Sequence, residues 1–336
     1  MSTRKVEATA PCRVDLAGGT LGAWPLYLFH PGAVSVSVAI DRRAWCSVEG
    51  DVEGVHVESK DTLQKASAAT VSELLESGRL SLVAEVLRVL GVETGVRVQT
   101  QSRVPLGSGL GASSALAVAV GAAVSAAVGR TVDPDRLWPL LRDAEARSSQ
   151  VPTGAQDYAT ALHGGVQAVH LEPGEIRAEA LAVDPARVEE CLLLIDTADA
   201  GPSRSGRWDL FKRRIEGDER AREALATIAS TARSLREALV EDRLDDVVDL
   251  FAEEWEARKR LDPGISTPQI ERVAEVARAA GAAAKVCGAG VRGVVAVWAP
   301  PGARGPGRRE AVTEALGAAG FRVFPARVDL RGLEVG

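Results

Sequence analysis

The sequence predicts an α+β protein built in two parts, and three observations carry that prediction. The chain has 336 residues, more than one compact core usually organises. Several early stretches alternate apolar and polar residues with the period of half-buried strands, while others repeat apolar residues every three to four positions, as helices do. The two patterns follow one another without the strict strand–helix–strand order of a doubly wound sheet, which leaves mixed α+β layers.

Alternation predicts strands at 6–16, 33–40, 44–48 and 55–58. Helical spacing follows around 71–76 and 82–90, then a strand at 96–103. That strand runs into Val-Pro-Leu-Gly-Ser-Gly-Leu-Gly-Ala-Ser-Ser-Ala at 104–115 and a helix from about Ser113 to Val128. Residues 110–129 carry no charge and approach the length of a membrane span. They consist mainly of Ala, Gly and Ser, however, and start at a glycine loop that lipid could not solvate. The reading is a buried helix of small residues. Asp133 caps the next helix, through Arg147, with Pro134 in its favoured first turn. A short helix at 153–162 and strands at 166–171 and 176–181 complete a first part, 1–185.

The second part, 186–336, opens with a buried strand at 191–195 and a polar loop at 202–207. Helices fall within 218–239, 244–260 and 267–280. Strands at 283–287, 294–298 and 322–327 and a helix at 308–319 close the chain, with 300–307 a Pro/Gly-rich surface loop. There is no internal repeat and no long linker.

Composition narrows the function classes. Forty basic against forty-six acidic side chains give a net charge of −6. With no concentrated basic face, nucleic acid is a poor partner; the basic cluster at 204–214 is interleaved with acids and reads as solvated surface. Cys12, Cys46, Cys191 and Cys287 lack paired spacing, so they fit buried free thiols better than disulfides or zinc. His30, His56, His163 and His170 show no metal-ligand spacing. The N-terminus lacks the apolar run of a signal peptide. The expectation is a cytoplasmic monomer or homodimer without a membrane partner.

The stretch at 104–115 carries the chemistry. Gly107, Gly109 and Gly111 permit left-handed backbone and a close approach to a ligand. A helix beginning at Ser113 and Ser114 would aim unpaired N–H groups and its positive dipole end at the same point. Such a place suits an anion, a nucleotide phosphate above all. A Walker loop would end in Gly-Lys-Ser/Thr, and no lysine is present. A dinucleotide fingerprint would need a second strand after the helix, where another helix is predicted instead. A turn that merely lets a helix pack tightly remains open on these residues alone.

Three more segments shift the balance. Ala-Pro-Cys-Arg-Val-Asp-Leu-Ala-Gly-Gly-Thr at 10–20 leads an arginine into a glycine turn. Glu145 precedes Val-Pro-Thr-Gly-Ala-Gln-Asp-Tyr at 151–158, and Lys-Val-Cys-Gly-Ala-Gly at 285–290 forms a second glycine turn after a strand. In this order and spacing the segments resemble the GHMP kinases, over most of the chain, and within them sugar kinases of the D-glycero-D-manno-heptose 7-phosphate kinase type. The Gly-Gly-Thr turn, the Thr-Gly-Ala-Gln-Asp segment and the Ser-Arg-Ser-Gly loop at 203–206 carry the narrower likeness.

The resemblance implies an N-terminal domain like ribosomal protein S5, a C-terminal ferredoxin-like α/β plait, and an active site between them. It implies an ATP- and Mg²⁺-dependent kinase of a sugar or sugar phosphate, acting at the anomeric hydroxyl. Pro105, Gly107, Ser108, Gly109, Leu110, Gly111, Ala112, Ser113 and Ser114 would hold the nucleotide. Ser113, with Ser114 as the alternative, and Glu145 would ligate Mg²⁺, a metal suited to hard oxygen donors. Asp157 would be the catalytic base and Arg13 the cation beside it. Gly18, Gly19, Thr20, Gly154, Gln156, Gly288, Ala289 and Gly290 would line the acceptor.

Each of these side chains also has a plainer reading. Glu145 also fits a solvated helix face, Arg13 a structural ion pair, and Asp157 a helix N-terminal charge. Trp24 either stacks on a sugar or fills core. Two departures from the pattern are visible. Leu21-Gly22-Ala23-Trp24 stands where such sugar kinases carry an acid after the turn, and Val291-Arg292 replace glycines in the third motif. They keep two alternatives open: a non-sugar alcohol as acceptor, as in mevalonate or homoserine kinases, or a catalytically silent binding protein.

Overall fold

Two sheets carry the architecture in the computed structural model, which describes residues 5–104, 107–131, 133–197, 207–288, 293–301 and 308–336. The first half contributes β1 (Lys5–Ala17), β2 (Ala33–Gly50), β3 (Val55–Ser59), β4 (Gln64–Ala68), α1 (Val71–Glu76), α2 (Ser81–Val89) and β5 (Val96–Ser102). It continues with α3 (Ala112–Ala127), α4 (Pro134–Ser149), α5 (Gln156–His163), β6 (Val166–Glu172) and β7 (Glu175–Ala180). The second half runs α6 (Pro185–Cys191), β8 (Leu192–Asp196), α7 (Arg207–Ile215), α8 (Glu219–Val240), α9 (Asp246–Leu261) and α10 (Pro268–Ala279). It ends with β9 (Ala283–Val286), β10 (Val294–Trp298), α11 (Arg308–Ala318), β11 (Val323–Pro325) and β12 (Glu334–Val335).

The larger sheet runs β12-β1-β2-β5-β3-β4, with β6 also on β2 and β7 on β6. The pair β3–β5 is parallel and the other pairs antiparallel. The smaller sheet runs β11-β8-β10-β9, antiparallel throughout. In order of sequence that is 4-1-3-2 with helices in both crossovers, the connectivity of a ferredoxin-like plait.

Small side chains let α3 lie deep. It packs on β1 and β2 and against α4, with Ala115 to Ser125 buried apart from Leu116. A methyl group added at Gly121 would stand 2.8 Å from Leu141 Cδ2, so glycine there permits the close crossing of α3 and α4. No helix among the described residues is long and apolar enough to cross a membrane. All four cysteines are buried and unpaired. Burial pushes the thiols of Cys12 and Cys191 up to about 12 and that of Cys287 to about 11, which leaves them poor nucleophiles.

Four local expectations need correction. The strands expected at 33–40 and 44–48 are one strand, β2. The polar triplet Asp41-Arg42-Arg43 breaks the alternation, yet Arg43 is held by Asp329 Oδ2 at 2.5 Å and by the carbonyls of Thr9 and Gly332 at 3.0 and 2.6 Å. The strand expected from Cys191 starts at Leu192, because a helix capped by the Asp184 side chain ends on Cys191. Part of the basic surface cluster forms α7, which buries Phe211. Finally, the last residues return to the first sheet, where Val335 lies opposite Ala8 and Glu334 opposite Thr9.

Candidate active site

The glycine stretch takes the left-handed backbone that its composition suggests. Gly107, Gly109 and Gly111 all have left-handed backbone, with φ of 75°, 77° and 71°. Gly111 is the N-cap of α3 and no side chain caps that end, so the helix presents its first amides to the loop. A side chain at Gly109 would lie 2.1 Å from the carbonyl oxygen of Cys287, and one at Gly288 2.7 Å from Gly109 Cα. Backbone therefore meets backbone where the first half touches the glycine turn after β9. Ser108 and Leu110 are buried here, and Ala112 is partly exposed. Pro105, Ala289 and Gly290, with Val291-Arg292 and the Ser-Arg-Ser-Gly loop, lie outside the described residues.

Arg13 joins this loop to the start of α5. Its Nε donates to Asp157 Oδ1 at 2.7 Å, and its Nη1 donates to the carbonyl oxygen of Gly109. Burial works against the guanidinium charge, but the adjacent Asp157 carboxylate outweighs it and raises the pKa above the usual arginine value. Asp157 stands in the first turn of α5. Its other oxygen, Oδ2, is 3.5 Å from Ser114 Oγ, which in turn donates to Glu145 Oε2 at 2.8 Å. The Tyr158 hydroxyl donates to the same Glu145 oxygen at 2.5 Å. Ser113 is exposed beside them, and its hydrogen bond also favours the charged form of Glu145.

Glu145 is buried, not part of a solvated face. Burial drives its pKa upward, and the Asp157 charge adds to the rise, while hydrogen bonds from Tyr158, Ser114 and Ser113 oppose it. A carboxylate under that strain, next to a second carboxylate and two hydroxyls, is a set of hard oxygens that a divalent cation would relieve. Among the described residues no cluster of three His, Cys, Asp or Glu side chains could hold a metal unaided. A magnesium ion there would therefore need phosphate oxygens and water as further ligands, its usual coordination in nucleotide sites.

The raised pKa has a consequence for stability. A carboxyl that binds its proton more tightly when folded stabilises the protein fully below its unfolded pKa, and that contribution is lost as pH rises through the folded value. Glutamine does not titrate. Without divalent metal, Glu145→Gln is therefore expected to be more stable than the native chain near neutral pH, with the advantage vanishing below about pH 4, the unfolded glutamate range. Urea unfolding between pH 4 and 8 checks this; a difference independent of pH would contradict it.

Of the residues expected to line an acceptor, Gly288 lies against Gly109 of the glycine loop, while Gly19 and Gly154 meet around Gln156, the neighbour of Asp157 in the chain. Gly18 has φ 80° and precedes the 3₁₀ turn Gly19–Gly22. Gln156 donates from Nε2 to the Gly19 carbonyl at 3.3 Å, and its Oε1 is buried without a partner. A side chain at Gly22 would stand 2.0 Å from Gln156 Oε1, and one at Gly154 2.3 Å from it. Both glycines thus make room for the Gln156 carboxamide, and Leu21 is buried in the apolar core. Trp24 is 58% exposed, so it does not fill core. Thr20 is partly exposed on the same turn.

Beneath the two glycine turns lies a charged network for which sequence reasoning assigned no role. Lys285, wholly buried on β9, contacts Glu254 of α9, lies 3.3 Å from Asp15 Oδ2 and donates to the Leu16 carbonyl at 2.9 Å. Glu254 accepts the Gly18 N–H at 2.9 Å. Arg258 donates to the carbonyls of Val286, at 2.7 Å, and Gly288. Burial opposes the charge of Asp15, but Lys285, Arg258 and Arg13 together hold its carboxyl below the usual range. Asp15 and Lys285 stand inside the glycine-turn motifs, the one signal that could have flagged them; Glu254 and Arg258 lie in an ordinary amphipathic helix and carry none.

Comparison with known proteins gives a consistent answer. Residues 79–165 match the family model described as GHMP kinases N terminal domain, and residues 235–321 the model described as GHMP kinases C terminal. The chain is 30% identical to a galactokinase of Mycobacterium tuberculosis over 61% of its length and 65% of that protein. It is 23% identical to a D-glycero-alpha-D-manno-heptose 7-phosphate kinase of Campylobacter jejuni, over 89% of this chain and 90% of the other. A bifunctional fucokinase/GDP-fucose pyrophosphorylase of Arabidopsis thaliana is 24% identical over 85% of this chain, which spans only 29% of that longer protein. In fold, a D-glycero-D-manno-heptose 1-phosphate kinase of Bacteroides thetaiotaomicron superposes with a TM-score of 0.77 at 22% identity, covering 98% of each chain.

Proposed function

Because the chain belongs to the GHMP kinases, we propose that it transfers the γ-phosphoryl group of ATP to a hydroxyl of a sugar or sugar phosphate, the anomeric hydroxyl in particular. The observation that carries this reading is the contact of Arg13 with both Asp157 and the Gly109 carbonyl. It sets a carboxylate, a cation and the uncapped start of α3 around one space, the set that phosphoryl transfer requires.

In this reading the amides of the glycine loop and the start of α3 bind the triphosphate. Gln156 and the Gly18–Gly19 turn orient the acceptor. Asp157 Oδ2, the oxygen not engaged by Arg13, takes the hydroxyl proton as the acceptor oxygen attacks the γ-phosphorus. The new O–P bond forms as the bond to the β–γ bridging oxygen breaks, and ADP leaves with those electrons. Arg13 offsets negative charge on the transferring group. Ser114 and Glu145 would hold Mg²⁺, which supplies charge neutralisation across the phosphates.

The sugar assignment draws on the relatives named as galactokinase and heptose phosphate kinases. Gly22 weakens the silent alternative, since its missing side chain has a packing reason: the Gln156 carboxamide fills the space. ADP release across a panel of heptose 7-phosphate, hexoses, pentoses, mevalonate and homoserine tests the proposal. Release with sugars alone is expected. Release only with mevalonate or homoserine would move the acceptor class, and ATP binding without release would make the protein a binding module.

A further inference from the structure

The wall next to the acceptor side holds a second set of polar atoms with no partner. The 3₁₀ turn Leu26–Phe29 follows the Gly19–Gly22 turn and shares one apolar cluster with Ala155, Phe211 of α7 and Leu225 of α8. On it, the Phe29 ring carries the Arg214 guanidinium 4.2 Å from its centroid. Arg214 Nε and His30 Nε2 are both buried without a hydrogen-bond partner. Trp208, at the other end of α7, donates from Nε1 to the Gln150 carbonyl at 3.2 Å, so α7 reaches from the segment leading into Asp157 to this cluster.

Positive charge is in excess there. Neither Arg214, His30 nor Arg233 of α8 pairs with an acid among the described residues. Shortage of acids is not the reason, since the neighbouring Arg213 pairs with Asp218 at 2.9 Å. Burial lowers the pKa of Arg214, and Arg222 lowers it further. His30 is likewise held below its usual value, by burial first and then by Arg214 and Arg233. Stacking on Phe29 accounts for the face of the guanidinium but leaves its N–H edge unused. An unpaired, partly desolvated guanidinium calls for an anion, and a planar arginine fork beside a neutral imidazole that can donate one N–H suits phosphate oxygens.

We propose that Arg214 and His30 form a binding site for a phosphate group on the rim of the acceptor side. Two sources share this chemistry: a phosphate ester on the acceptor itself, which rests on the kinase reading above, or a separate phosphate ion. Neither Arg214 nor His30 touches the Arg13–Asp157–Glu145 machinery.

Calorimetric titration with inorganic phosphate, in saturating ADP to fill the glycine loop, compares the native chain with Arg214→Gln, Arg214→Lys and His30→Gln. Loss of one charge-assisted pair is expected to weaken phosphate binding about tenfold in Arg214→Gln, with Arg214→Lys intermediate and all melting temperatures close to native. Equal phosphate affinity in the native chain and Arg214→Gln, or no binding to the native chain, would overturn the site. Steady-state ADP release then separates the sources. If the acceptor carries the phosphate, Arg214→Gln raises KM for the sugar phosphate at unchanged kcat and leaves the parent sugar unaffected. If the ion is separate, KM moves for neither. Phosphate binding that depends on Arg214, in a protein that releases ADP with no acceptor, would keep the site and reject the kinase reading.

Discussion

Replacing Asp157 by Asn is expected to lower kcat by a factor of about 10² to 10⁴, the usual worth of a positioned general base, while ATP still binds. The substitution keeps size and shape but removes the one acceptor oxygen, Oδ2, that is free of Arg13 and within 3.5 Å of Ser114 Oγ. ATP affinity is expected to hold because the loop glycines and the start of α3 are untouched. Arg13, only 5% exposed in its side chain, loses its charge partner, so unfolding must be measured alongside turnover. A stable Asp157→Asn variant with native kcat would sink the assignment. One that neither turns over nor binds ATP would show that the pair holds the cradle rather than drives the chemistry.

Lys285→Met is expected to destabilise the protein by about 3–5 kcal/mol, the loss typical when one partner of a buried ion pair is removed. Lys285 and Glu254 are both fully buried, so water cannot take over the stranded carboxylates of Glu254 and Asp15. Restoring charge balance is the control. Adding Glu254→Gln to Lys285→Met should recover part of the loss, and a double-mutant cycle in urea isolates the coupling. A single-variant change under about 1 kcal/mol, the range of exposed pairs, would show that the network is not a stabilising element. The acid side follows from Asp15. Its folded pKa is depressed, so its contribution is present above the unfolded value and lost as pH falls through the folded one. In Lys285→Met that acid-side decline should be smaller.

Much of the candidate site was legible along the chain. Arg13, Asp157 and the three loop glycines stand in short segments whose residue types announce their chemistry, and each makes contacts consistent with it. The sequence put Ser113 first as the hydroxyl beside Glu145, with Ser114 as the alternative; adjacent hydroxyls at the start of a helix face different ways, and the fold gives Ser114 the 2.8 Å hydrogen bond to Glu145 and leaves Ser113 exposed. Tyr158 shows the same limit. Its hydroxyl meets Glu145 because α4 and α5 pack together, and nothing in the spacing of thirteen residues predicts that contact. Gly22, read along the chain as a missing acid, became a close approach of Gln156.

What the sequence by itself determined is local. Strand and helix periods, the cap at Asp133, and the glycines that turn the chain left-handed depend on residues within a few positions of one another. They suffice for an α+β chain with a left-handed glycine loop before α3 that suits an anion. What only the tertiary structure decided depends on groups far apart in the chain meeting at bonding distance. Lys285 reaches Asp15 across 270 positions, Arg43 reaches Asp329 across 286, and the last strand closes on the first. Such contacts are set by how sheets and helices pack, where buried charge must find its partner, and no periodicity records them.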